Sequence, residues 1–368
     1  MMSKKMNKYF YNIEDDLCKY KDAWLYMVVG GRNTGKTYST LKYCYVNKKK
    51  FVFVKRTNDD VKLICAGSGK LGSKMASYGV DLSPFKSINR DMKINVLAFS
   101  IFTGLGGFWI CDENNEPVGE PIGYIISLNS VQKVKGFDLS ECDFIIFDEF
   151  IPQPWERISK KEGEMVLDLY KTVSRAREHL DREVLKLICL ANATSVSNPI
   201  TNIIEVTDIL VDMQAVNKSY TYIEDRGILV HMLQAEDMQE FYDKEKESPI
   251  YRAMSGTQWA QMALDNDFAY NDVSNIDRRR LKAYQCLIKV RYKQHDYYIY
   301  NKEGEYYMCE IPHNHYVFEY DLNKENDQKR FWLENCMDLR FACIDGNMLF
   351  EKYTMYDLIV NYKKFFNI

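Results

Sequence analysis

The stretch GGRNTGKT, residues 30–37, follows directly on the apolar run WLYMVV, residues 24–29. Gly30, Gly35, Lys36 and Thr37 satisfy the pattern G-x-x-x-x-G-K-[S/T], with Gly31, Arg32, Asn33 and Thr34 between them. Glycines at that spacing let backbone N–H groups wrap around phosphate oxygens. Lys36 is placed to reach the β and γ oxygens, and the Thr37 hydroxyl to ligate Mg²⁺. The motif needs a strand before it and a helix after it. AWLYMVV (23–29) reads as a buried parallel strand, and Lys36 to Val46 carries helix-compatible spacing. The bland alternative, a turn of incidental glycines, supplies neither flank.

A second apolar run, FIIFDEF (144–150), carries two carboxylates near its end. Such a strand delivers Asp148 to a position opposite Thr37, where it can hold the Mg²⁺ water shell. Glu149 is then placed to polarise an attacking water. An Asp-Glu pair of this kind argues for hydrolysis rather than transfer to a small acceptor. The Asn-Lys-x-Asp guanine reader of G-proteins is lacking: Asn217-Lys218-Ser219-Tyr220 has no Asp at its fourth position. Adenine, and so ATP, is therefore expected by exclusion.

Further runs complete the frame. FVFVKR (51–56), NVLAFSIF (95–102) and the two arms of FWICDENNEPVGEPIGYIISL (108–128) read as strands, with DENNEPVG as a hairpin tip; 160–179 reads as a helix and 184–190 as a strand. Strands separated by helical segments predict an open α/β sheet with its site at the strand carboxyl ends. In TVSRARE (172–178) two arginines lie two apart on the expected helix, so one can serve the fold while the other projects. They read either as a solvated face paired with Glu178 or as a charge donor to a neighbouring subunit's γ-phosphate. Asn192, just after LKLICLA, reads equally as a polar sensor of the γ-phosphate or as an Asx turn entering SNP.

With 46% hydrophobic residues among 368, the chain can bury a full core. Its formal charge of -3 excludes a generally cationic coat but not a basic patch or pore stripe. Ten cysteines without a CxxC pair read as reduced core residues of a cytosolic protein. No apolar run reaches the roughly 20 residues of a membrane span, and no membrane partner is expected. After about residue 212 charges become denser and short aromatic-rich runs follow. The expected layout is a nucleotide-binding domain at 1–212, a linker region at 213–274 and a smaller α+β domain at 275–368.

GGR-x-x-GKT, FIIFDEFI, TVSRARE and CLANATSVSNP, in that order, closely resemble the DNA-packaging motor ATPases of φ29-type tailed phages, within the wider terminase-like packaging family. The resemblance covers roughly residues 20–200 and extends more weakly through YRAMSGTQWAQMALDNDF (251–268). It implies a P-loop ATPase domain of the ASCE/RecA-like kind and a ring homo-oligomer of five subunits. That ring would sit at the portal protein of a procapsid in the host cytoplasm and drive double-stranded DNA inward, with a structural packaging RNA as a possible partner. By residue, it implies Lys36 and Thr37 as phosphate and magnesium ligands, Asp148 as the magnesium-associated acid and Glu149 as the catalytic base. Arg175 would be the arginine finger acting in trans, Lys135 a second basic residue reaching across the interface, Arg32 the P-loop arginine and Asn192 the coupling residue. It also implies a degenerate RNase H-like nuclease domain at the C-terminus. There CLIKVRY carries Lys289 and Arg291 where a nuclease needs an aspartate, and Glu305, Glu310 and Asp345 form no two-metal set. Arg278, Arg279, Arg280, Lys282, Lys289, Arg291 and Lys293, interleaved with tyrosines, are the candidate nucleic-acid surface. The alternatives in play are a helicase or other DNA-remodelling ATPase, and a nucleotide-regulated nucleic-acid-binding subunit.

Overall fold

The computed structural model of the chain describes residues 10–368 except 66–81, 135, 154, 157, 176, 180–181, 235–237, 258–259, 261–267 and 269–271. The chain divides into two units, residues 1–203 with 213–269, and residues 204–212 with 270–368.

The first unit is built on a nine-stranded sheet: β1 (Leu25–Val29), β2 (Phe51–Lys55), β3 (Val96–Phe102), β4 (Leu105–Ile110), β5 (Gly123–Ser127), β6 (Phe144–Asp148), β7 (Lys186–Ala191), β8 (Tyr220–Ile223) and β9 (Ile228–Met232). Their order across the sheet is β3-β4-β5-β2-β6-β7-β1-β9-β8. From β5 through β9 every pairing is parallel. β3 and β4 continue one edge antiparallel and β8 the other. The helices that bear on the site are α1 (Ile13–Lys19), α2 (Lys36–Val46), α3 (Asn58–Ile64), α4 (Lys86–Met92), α5 (Val131–Val134) and α6 (Glu162–Ser174). Strands this apolar need cover on both faces. β1 is buried along its whole length, and β6 and β7 at all but one residue each. Phe51, Phe53, Phe85 and Phe108 pack together beneath β2 and β4, each fully buried ring contributing about 2–3 kcal/mol.

The second unit holds a five-stranded mixed sheet: β10 (Gln285–Tyr292), β11 (His295–Lys302), β12 (Glu305–Cys309), β13 (Phe318–Asp321) and β14 (Met348–Phe350), in the order β13-β10-β11-β12-β14. β10, β11 and β12 form an antiparallel meander, and β13 and β14 add parallel at its edges. Ile288, Val290, Ile299 and Met308 face the helices Glu325–Phe331 and Tyr353–Val360. Asp208 closes the start of the latter helix, accepting from the Thr354 N–H (2.9 Å) and hydroxyl (2.7 Å).

Two sequence expectations change. The segment 213–274 is not a linker throughout, because β8 and β9 lie in it and β9 pairs along all of β1. The helix expected over 160–179 ends at Ser174: Arg175 caps it in a left-handed conformation (φ 34°) and residues Arg177–His179 form a separate 3-10 turn. In the second unit the expected basic stripe is largely neutralised. Arg278 pairs with Asp212, Arg279 with Asp277, Lys289 with Glu319, Arg291 with Asp296 and Lys293 with Glu205. Arg280 and Lys282 are exposed. Much of the weaker motif region 251–268 lies outside the described residues.

Candidate nucleotide-binding site

β1 delivers the chain to Gly30, and the loop turns through Asn33 (φ 61°) and Gly35 (φ 85°) into α2. Gly35 is the N-cap and supplies the left-handed conformation without a side-chain penalty; it offers no side-chain acceptor to the first N–H groups of α2. Gly30 has a different reason to be glycine: a Cβ there would lie 2.7 Å from the Leu233 side chain. Lys36 is folded back into the loop. Its Nζ donates to the Gly31 carbonyl (2.7 Å), the Thr34 hydroxyl (3.0 Å) and the Gly30 carbonyl (3.1 Å), with Asn192 Oδ1 at 3.4 Å. Burial pushes its ammonium down to about 7, while Asp148 and Glu149 pull the other way.

The sheet order brings the rest together. β7 is inserted between β1 and β6, so Asn192 leaves its strand between Lys36 on one side and Asp148 on the other. Thr37 Oγ1 donates to Asp148 Oδ1 at 2.7 Å, joining two motifs 111 residues apart. Glu149 follows in the left-handed region (φ 60°), a conformation that costs a non-glycine residue of order 1 kcal/mol and must be held by its surroundings. Arg56 does the holding: its Nη2 donates to the carbonyls of Glu149 and Phe150, both at 3.1 Å, and its guanidinium is anchored on buried Glu162. Burial raises the Glu162 carboxyl and the Arg56 hydrogen bond opposes it.

Lys55, the last residue of β2, lies 2.8 Å from Asp148 Oδ2 and 3.2 Å from Glu149 Oε2. No motif marks it, although adjacent cations, Lys55 and Arg56, at the carboxyl end of a central strand are a usable signal. Lys36, Thr37, Asp148, Glu149 and Asn192 open onto a cavity of about 670 Å³. Its wall also includes Phe10, Tyr38, Lys42, Arg90 and Asp91, none of which the motifs had named.

The donor chemistry fits a nucleotide phosphate and a hard divalent cation. Hydroxyl and carboxylate oxygens from Thr37 and Asp148 suit Mg²⁺, and the helix N-terminus with Lys36 suits an anion. Arg32 is exposed on the loop and does not line the cavity. Arg175 does not line it either; its Nη2 donates to the Phe137 carbonyl (2.6 Å) and Nη1 lies 3.6 Å from Asp138. Arg177, by contrast, is 4% exposed and donates to the carbonyls of Glu183, Ser140 and Cys142. Of the two arginines, the second serves the fold and the first is the one left at the surface. Lys135 lies outside the described residues.

A mainly parallel α/β sheet with a glycine-rich, lysine-bearing loop facing strand-end carboxylates defines a protein built to hold phosphate at the strand carboxyl ends. The family model described as Podovirus DNA encapsidation protein (Gp16) matches residues 117–338, and the chain belongs to that family. It is 25% identical to the DNA packaging protein of Bacillus phage B103 over 280 residues, 74% of this chain and 72% of that protein. To the DNA packaging protein of Bacillus phage phi29 it is 25% identical over 276 residues, 73% and 69% of the two chains. Among solved structures, a chain of the bacteriophage Phi-29 viral genome packaging motor assembly superimposes with a TM-score of 0.61 at 20% identity, covering 97% of this chain and 100% of that one. The Phi-28 gp11 DNA packaging motor gives 0.61 at 17% identity, with 98% and 99% covered. At those identities the two structures show a shared fold.

Proposed function

We propose that this DNA encapsidation protein is the ATPase of a phage packaging motor, driving double-stranded DNA into a procapsid through a ring of its own copies. The observation that carries the reading is the 2.7 Å Thr37–Asp148 hydrogen bond, which sets the loop and the carboxylate strand end on one spot beside Lys36. β7 inserted between the loop strand and the carboxylate strand supports the ASCE/RecA-like assignment of the P-loop domain. The five-stranded mixed sheet of the second unit supports the nuclease-like reading of that unit, with Lys289 and Arg291 on β10 in ion pairs.

In this reading Lys36 exchanges its loop carbonyls for the β and γ oxygens of ATP. Thr37 and Asp148 hold Mg²⁺, which when bound neutralises charge on the phosphates. Glu149, 65% exposed at its side chain and set by Arg56, takes a proton from the attacking water and so needs to be released from Lys55. Asn192, touching Lys36, is placed to feel loss of the γ-phosphate at the end of β7. Arg175, which does not line its own cavity, completes a neighbour's site, and Lys135 belongs to the same interface. The portal protein, five-fold ring and packaging RNA belong to this proposal through the family alone.

The test is ATP hydrolysis by the purified protein with and without duplex DNA, over a range of protein concentrations, beside Glu149→Gln. Duplex-stimulated turnover that rises steeply with concentration and vanishes in Glu149→Gln is expected. Turnover indifferent to both DNA and concentration would leave an ATPase but no motor.

A further inference from the structure

Part of the cavity wall has a chemistry of its own, apart from the phosphate loop. Asp148, Glu149, Asn192 and Lys36 line the cavity at the strand ends and the loop. Also on the wall, Tyr38, one residue past Thr37 on α2, points its hydroxyl at Asp91 Oδ2 on α4 (3.1 Å). Arg90 Nε holds Asp91 Oδ1 at 3.0 Å, and Lys42, one turn further along α2, lies 5.5 Å from the Tyr38 ring centre. The hydrogen bonds from Arg90 and then Tyr38 keep the Asp91 carboxyl below its usual range, so it is ionised at neutral pH and only accepts. A carboxylate has room for about four hydrogen bonds, and two are taken here. The free acceptor positions of the carboxylate fit a partner that presents hydroxyl donors. Tyr38 follows Thr37 directly on α2, so this cluster is the part of the wall next along the helix from the phosphate loop.

Resting on the ATPase reading above, we propose that this is the nucleoside end of the site and that Asp91 is its specificity-determining residue, accepting hydrogen bonds from the ribose 2′- and 3′-hydroxyls. Tyr38 and Arg90 act as positioning residues for that carboxylate. Phe10, half exposed, adds an apolar surface to the cavity wall beside Gly35 of the loop. A site built to accept from a sugar hydroxyl discriminates against the analogue lacking it. On an open rim the effect is about tenfold, the equivalent of one hydrogen bond to a charged group.

The experiment is equilibrium binding of ATP, 2′-deoxyATP and 3′-deoxyATP to full-length Glu149→Gln protein, which removes turnover, with and without Asp91→Ala. With Asp91 present, at least one deoxy analogue is expected to bind about tenfold more weakly than ATP. With Asp91→Ala, ATP should fall to the level of that analogue while the analogue itself is unchanged. Tyr38→Phe, which keeps the carboxylate, should retain most of the discrimination. Equal binding of all three nucleotides in the Asp91 protein, or discrimination that survives Asp91→Ala, overturns the assignment while leaving the ATPase reading intact. Failure of the Asp91 protein to bind any of the three removes the ATPase reading and this inference with it.

Discussion

Lys36 carries its charge at a cost set by burial. Burial holds its ammonium at about 7, against the 10.5 of a free lysine, with loop carbonyls as the replacement for water. A lysine lowered in this way weakens the folded protein most fully below about 7, and stability recovers as pH rises toward 10.5. A phosphate partner restores the charge, so binding must take up a proton in that window. The expected result is that ATP affinity falls above pH 7, approaching tenfold per pH unit, with uptake of close to one proton near pH 8.5. Calorimetry in two buffers of different ionisation enthalpy measures it. Binding with no proton uptake at that pH would show that the loop already keeps Lys36 charged. Lys36, Thr37, Asp148, Glu149 and Asn192 were legible because motif spacing and strand ends mark them without knowledge of the sheet. Arg56 and Asp91 were not, since their nearness to the site comes from strand and helix order rather than from sequence distance.

The end of α6 shows the limit of reading a helix by its period. The apolar spacing of residues 160–179 continues past the true end, and nothing local announces that Arg175 takes a left-handed cap. That cap separates the fates of the two arginines: Arg175 stays at the surface, and Arg177 turns inward under the 3-10 turn onto three carbonyls. Arg177→Ala strands buried acceptors and leaves a hole, which costs roughly 3 kcal/mol. Arg175→Ala, on a residue held at the surface by one carbonyl and a distant Asp138, should cost well under 1 kcal/mol. Thermal melts of the two variants test the contrast, and equal losses would mean that Arg175 is also part of the scaffold. β9 was lost to the expected linker for a related reason. ILVHM is a fully buried strand, but the charge-dense residues after it set the texture of the window, and only its pairing with β1 identifies it. Most strands before residue 192 were visible as apolar runs. Their order, with β7 between β1 and β6, was not, because continuous burial on both faces says nothing about which neighbour lies on either side.

At the scale of the whole molecule, the chain carries a loop and a carboxylate pair that meet in one cavity, and an arginine, Arg175, that does not line it. In a ring this division of labour makes a sharp complementation possible. An Arg175→Ala subunit keeps its own Lys36, Thr37, Asp148 and Glu149 but fails its neighbour. A Glu149→Gln subunit has a dead cavity but still offers Arg175. Either variant alone should hydrolyse ATP at least tenfold more slowly than the parent while still binding it. Mixed in equal amounts and assembled at random, about one interface in four pairs a live cavity with an intact arginine, so roughly a quarter of parental turnover should return. The recovery should follow the product of the two subunit fractions as the mixing ratio is varied, and should disappear on dilution as rings come apart. A mixture as inactive as its components would mean that the arginine serves its own chain or none. An Arg175→Ala protein that hydrolyses at the parental rate would remove the trans assignment and leave Lys135 as the interface cation to test in its place.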